Sequence, residues 1–71
     1  MATNFYVKLG KRIRELRNQC CLSREKLAEL ADINTYYLGE IERGEKKVSI
    51  DFLLKICNVL QIKLCELVNL D

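Results

Sequence analysis

From residue 5 onward the apolar positions recur at intervals of three and four, the period of a helix that buries one face. Phe5, Leu9, Ile13 and Leu16 form the first stripe, widened by Tyr6 and Val7, and predict a helix over Phe5–Gln19. Met1–Asn4 read as a short ragged tail before it. Gly10 lies inside the pattern; it costs about 1 kcal/mol against Ala in a helix, which suits a site where a neighbour approaches closely. Lys11, Arg14 and Glu15 lie off the stripe. The polar Asn18–Gln19 pair marks the end of this helix before a short connection.

The most informative stretch is Ser23–Gly44, SREKLAELADINTYYLGEIERG. Ser23 is a good N-cap, because its hydroxyl accepts from a free N–H of the first turn, and Glu25 suits the positive end of the helix dipole. The strict capping box would place an acid at position 26, where Lys26 stands. A second helix then runs to about Ala31. Asp32 follows in a tight turn that needs positive φ, a region that Asp and Asn tolerate best after Gly. Asn34 caps a third helix over Thr35–Arg43, and Gly44 is a natural left-handed stop. Leu27, Ala31, Ile33, Leu38 and Ile41 point into one shared core, and the small Ala28 lets the two helices cross closely. Thr35, Tyr36, Gly39, Glu40 and Arg43 are left on the outer face. A rigidly held helix with one polar face outward is what the major groove of DNA accepts.

Beyond Gly44, the charged Glu45-Lys46-Lys47 turn leads to Ser49, a cap for a fourth helix with Asp51 in its first turn. Ile50, Leu53, Leu54, Cys57 and Leu60 mark the expected buried face of that helix, with Phe52 and Ile56 beside it. Gln61–Lys63 connect to a last short helix over Leu64–Leu70. Its Leu64, Leu67, Val68 and Leu70 exceed what one core face needs, so they predict a subunit interface. The whole chain reads as one all-α domain of five helices, residues 1–71, with the helix-turn-helix at 23–44.

Composition narrows the picture. A chain of 71 residues with 49% apolar content supports a single modest core, and domains this small often gain stability from a second subunit. Net charge is only +2, but Lys8, Lys11, Arg12, Arg14, Arg17 and Arg24 gather in the first third. No segment has the length of a membrane span or the pattern of a signal peptide. There is no His, and the four cysteines, Cys20, Cys21, Cys57 and Cys65, include no CxxC pair, so no metal set is expected. They read as buried or half-buried thiols in a reducing cytoplasm.

The run from Leu22-Ser23 through Lys26-Leu27-Ala28, Tyr37-Leu38, Ile41-Glu42-Arg43-Gly44 and Leu53-Leu54-Lys55-Ile56 to Leu60 resembles the helix-turn-helix domain of the Cro and phage-repressor type, the XRE family. The resemblance covers about Val7 to Leu67. It implies five short helices with the third as the reading helix. It places Thr35, Tyr36 and Glu40 at positions that face base edges. Arg24, Tyr37, Arg43, Lys46 and Lys47 fall at or beside positions that touch phosphate. Arg17 and Glu42 match an ion pair joining helix 1 to the end of helix 3. Three residues depart from the family pattern. Asp32 stands where Gly is common, Val48 where Pro is common and Gln61 where Gly often ends helix 4, each costing on the order of 1 kcal/mol at most. Glu40 is ambiguous. It either accepts from a cytosine amino group or is held by Arg43 and reads nothing.

The leading expectation is a sequence-specific regulator of transcription that binds double-stranded DNA as a homodimer on a near-palindromic operator. Repression follows from blocking RNA polymerase, activation from touching it. Chains of this size resemble restriction–modification controllers and small phage or plasmid repressors. The alternative is an antitoxin-type module that neutralises a toxin and binds DNA secondarily. An enzyme is disfavoured, since the chain lacks His, a Gly-rich phosphate loop and paired carboxylates, and no cofactor is expected.

Overall fold

The computed structural model describes residues 2–70; Met1 and Asp71 lie outside the described residues. Secondary structure within them is wholly helical: α1 Ala2–Gln19, α2 Arg24–Ala31, α3 Thr35–Glu42, α4 Ile50–Leu60 and α5 Leu64–Leu67. None of these helices is long and apolar enough to cross a membrane.

Each junction follows from local chemistry. α1 stops where Cys21 takes positive φ (58°) and the Leu22 N–H donates back to the Arg17 carbonyl at 3.1 Å, a left-handed end that satisfies carbonyls otherwise left without partners. The Ser23 hydroxyl accepts from the Lys26 N–H at 3.0 Å and starts α2. Asp32 ends α2 at φ 56°, ψ 50°, so the tight turn is built on the left-handed residue that its side chain permits. The Asn34 side chain accepts from the Tyr37 N–H at 2.9 Å to start α3, and Gly44, at φ 74°, follows its end. Ser49 caps α4 through the Phe52 N–H at 3.2 Å. Gln61 ends α4 at φ 59° without the glycine that would make this conformation free.

The core is Leu9 and Ile13 of α1, Leu27 and Ala28 of α2, Leu38 and Ile41 of α3, Phe52, Leu53, Ile56, Cys57 and Leu60 of α4, and Leu67 of α5. Leu16, Leu22, Ile33, Tyr37 and Val48 pack around it half-buried. α1 crosses α3 at Gly10, where a Cβ would land on the Ile41 and Glu42 carbonyls, 2.8 Å from the Glu42 carbonyl carbon. The helical cost of this glycine is thus offset by a crossing that no other residue allows.

Five expectations are corrected. α1 begins at Ala2 rather than Phe5, because residues 2–4 continue the helix without a large apolar residue in the sequence to mark it. α4 is rotated: Phe52 and Ile56 are in the core, whereas Ile50 and Leu54 are 58% and 48% exposed. α5 ends at Leu67, not Leu70, its last turn closed by the Val68 N–H donating to the Leu64 carbonyl at 3.0 Å. Leu67 itself is completely buried within the chain, so it completes the core and cannot meet a second subunit; Leu64, Val68 and Leu70 are half-buried against the same core. Lastly, only Cys57 is buried; Cys20, Cys21 and Cys65 are exposed free thiols.

Candidate nucleic-acid interface

α3 is fixed from beneath by Leu38 and Ile41, both in the core, and from its end by a buried ion network. Arg17 Nε donates to Glu42 Oε2 at 2.8 Å and Arg17 Nη2 to Glu42 Oε1 at 3.1 Å. Arg17 Nη1 also donates to the Leu22 carbonyl at 2.8 Å, so one guanidinium ties the α1–α2 turn to the last turn of α3. Glu42 is 1% exposed at its side chain, and Arg24 Nε joins the same carboxylate at 3.3 Å. A carboxylate buried this deeply requires all three donors, because an unpaired buried charge is costly.

The outer surface of α3 faces an open groove of about 490 Å³ lined by Arg24, Glu25, Thr35, Tyr36, Gly39 and Arg43. Tyr36 is 87% exposed, while Thr35 and Glu40 are half-buried. Gly39, expected to be exposed, is buried; a Cβ there would meet Arg43 Nη1 at 3.2 Å and Arg24 Nη1 at 3.6 Å. The two guanidiniums therefore lie over its bare Cα.

Sequence reasoning did not anticipate where two of the cations point. Arg24 is tethered by its Nε to Glu42, a side-chain partner the sequence did not suggest. Arg43 binds Glu45, with Nε to Oε2 at 2.8 Å and Nη2 to Oε1 at 3.3 Å, rather than Glu40. The Glu45 carboxylate raises the Arg43 pKa above its ordinary value, chiefly through their hydrogen bond. Arg43 in turn holds Glu45 below the usual carboxylate range, again chiefly through the hydrogen bond. Glu40 forms no ion pair among the described residues, which removes the expectation that Arg43 holds it. The only signal for the Arg43–Glu45 pair was opposite charge two residues apart across Gly44.

Tyr37 stands edge-on against Phe52, with ring centroids 5.1 Å apart, and its hydroxyl donates to the Lys47 carbonyl at 3.1 Å. It pins the Lys46–Lys47 turn to α3, so a phosphate contact by this hydroxyl would require exchange of that bond. Lys46 and Lys47 are both exposed. The structure thus brings Arg24, Thr35, Tyr36 and Arg43 to one groove and ties Arg17, Glu42 and Arg24 together. Of the C-terminal apolar residues it buries Leu67 and leaves Leu64, Val68 and Leu70 half-buried. No cluster of His, Cys, Asp or Glu able to hold a metal occurs among the described residues.

Two short helices crossing at a tight turn, capped at Ser23 and Asn34, with the second presenting a polar face, define a helix-turn-helix protein. The helix-turn-helix family model matches residues 13–67, and the chain belongs to this family of XRE-type DNA-binding regulators. The control protein C.BamHI of Bacillus amyloliquefaciens is 33% identical over 70 residues, covering 97% of this chain and 86% of that one. The crystal structure of the restriction–modification controller protein C.AhdI from Aeromonas hydrophila superposes with a TM-score of 0.85 at 44% identity, over 87% of this chain and 94% of that one. The biofilm master regulator SinR, solved in complex with DNA, matches with a TM-score of 0.83 at 35% identity, over 86% and 98% of the two chains.

Proposed function

We propose that this protein is a transcriptional regulator of the controller type, binding a near-palindromic double-stranded DNA site as a homodimer in the cytoplasm. The observation that carries this is the immobilised α3. Its base is sealed in the core and its end is held by the Arg17–Glu42–Arg24 network, while Tyr36 stands almost fully exposed at its start. A side chain that enters a groove must be presented by a backbone that does not yield, because base discrimination of about 1–3 kcal/mol per contact depends on hydrogen-bond geometry. Thr35, Tyr36 and Glu40 are the proposed base readers. Glu40, free of Arg43, accepts from a cytosine amino group. Arg24, Arg43, Lys46 and Lys47 supply phosphate contacts, and Tyr37 positions the turn that carries the two lysines.

The homodimer reading rests on Ile50 and Leu54, exposed one helical turn apart on α4. Large aliphatic side chains adjacent on a helix surface favour a partner. Two copies would set their reading helices about 34 Å apart, one turn of duplex. Similarity to C.BamHI and C.AhdI favours a controller of a restriction–modification system. Repression by occlusion is the simplest output, with activation if a bound dimer touches RNA polymerase.

Selection from random duplexes at two salt concentrations tests this reading. A recovered palindrome, bound with an affinity that falls steeply between about 50 and 200 mM salt, is the expected result. Recovery of no motif would remove sequence-specific regulation.

A further inference from the structure

The two arginines over Gly39 are neutralised in different ways. Arg24 is held by Glu42, whose side chain is 1% exposed. That carboxylate is part of the fold and cannot be traded for solvent or ligand without leaving Arg17 buried and unpaired. Arg43 is held by Glu45 in a two-bond fork, and both side chains are about half exposed, 53% and 51%. Two carboxylate oxygens seated on a guanidinium occupy the positions that two phosphate oxygens take in the same fork. Glu45 stands between Gly44 and Lys46-Lys47, in the turn that would meet a DNA backbone. Nothing in the fold requires its charge: among the described residues its carboxylate pairs with Arg43 alone, at the surface.

We propose that Glu45 is a built-in stand-in for phosphate: it masks Arg43 in the free protein, is displaced when a backbone phosphate takes the fork, and so sets DNA affinity below what the cation content allows. This rests on the assignment of the α3 face to DNA. It has a specific consequence for salt dependence. The counterions released are cations condensed on the DNA, and a displaced Glu45 carboxylate left beside the phosphates retains a cation there, so the Arg43 contact adds little net release to the slope of log K against log salt. Removing Glu45 restores that contribution, about 0.9 per phosphate contact.

The test measures equilibrium binding of the full chain to its selected duplex and to a scrambled duplex, across about 50–200 mM salt. Wild type is compared with Glu45→Gln, Arg43→Gln, the double variant, and Glu29→Gln. The last makes the same charge change in the exposed Lys26–Glu29 pair. Thermal melts confirm that all are folded. Glu45→Gln is expected to bind both duplexes roughly two- to fivefold tighter, the scale of an exposed ion pair, with a slope steeper by about 0.9. In the Arg43→Gln background most of that gain should vanish. Tightening of equal size in the Arg43→Gln background, or in Glu29→Gln, would reduce the effect to net charge and overturn the proposal. Weaker binding by Glu45→Gln would also overturn it, since Glu45 would then be aiming Arg43. If wild type shows no salt-dependent duplex binding at all, the DNA assignment fails. If wild type binds and Glu45→Gln matches it, only the masking fails.

Discussion

Replacing Glu42 with Ala should destabilise this domain severely, and the reason is the charge it leaves behind. Glu42 is 1% exposed at its side chain and accepts from Arg17 Nε, Arg17 Nη2 and Arg24 Nε at 2.8, 3.1 and 3.3 Å. Truncation strands the Arg17 guanidinium, 9% exposed, with only the Leu22 carbonyl and a long contact to the Asn18 side chain. Removing one partner of a buried pair costs about 3–5 kcal/mol. A domain of 71 residues has roughly 4–11 kcal/mol in total, at ~0.05–0.15 kcal/mol per residue. Glu42→Ala therefore takes between a quarter and all of the stability, and should lower the melting temperature by about 12 °C or more. Urea unfolding followed by far-ultraviolet circular dichroism, at one fixed protein concentration because dimerisation would contribute, gives the number. The paired replacement Arg17→Met with Glu42→Leu should recover most of it, since an apolar pair of similar volume pays no desolvation. A loss below about 1 kcal/mol in Glu42→Ala, the value of an exposed pair, would refute the claim that this network fixes α3.

Further outcomes follow from the same geometry. Gly10→Ala should destabilise by more than about 2 kcal/mol, despite the better helix propensity of Ala, because its Cβ collides with backbone carbonyls of α3 rather than with a movable side chain; an unchanged melt would contradict the tight crossing. Leu54→Glu should shift a dimer to monomer in sedimentation equilibrium while leaving the fold intact, since Leu54 is 48% exposed; a variant still fully dimeric would move the interface elsewhere. A thiol reagent should modify Cys20, Cys21 and Cys65 quickly and Cys57 only on unfolding. Burial raises the Cys57 pKa above the ordinary 9.0, with Glu66 adding to the effect. Its neutral thiol therefore favours the fold fully below the unfolded value, and that stability is lost as pH rises through the folded value. A melt that does not fall in alkaline solution, relative to Cys57→Ala, would show that the thiol is not ionising on unfolding.

Much of the helix-turn-helix was legible because its signals are local and single-valued. Ser23, Asn34 and Ser49 each accept from the N–H three residues on, and Asp32 and Gly44 adopt the positive φ that a short polar side chain and a missing Cβ respectively allow. α4 defeated the periodicity because its apolar residues surround the helix: Ile50, Phe52, Leu53, Leu54, Ile56, Cys57 and Leu60 leave no unique buried arc, and packing against α2 and α5 chose Phe52 and Ile56 over Ile50 and Leu54. Leu67 was misassigned for a related reason, since a four-residue helix carries too little pattern to show which leucine points inward. The side-chain partners of Arg24 and Arg43 were invisible because an ion pair depends on where a long side chain comes to rest. Arg24 turned to a carboxylate 18 residues away and Arg43 to one two residues away.

The most direct test of the central claim, that the outer face of α3 meets the duplex, is a map of amide chemical-shift changes on titrating the selected duplex into labelled protein. The changes should concentrate at Arg24, residues 34–43 and the Lys46–Lys47 turn. Arg17 and Ile13 beneath them should move little. The contradicting result is a map centred on the basic groove between α1 and the C-terminal residues, lined by Lys8, Lys11, Arg12, Glu15, Asn69 and Leu70, with Thr35 and Tyr36 unmoved.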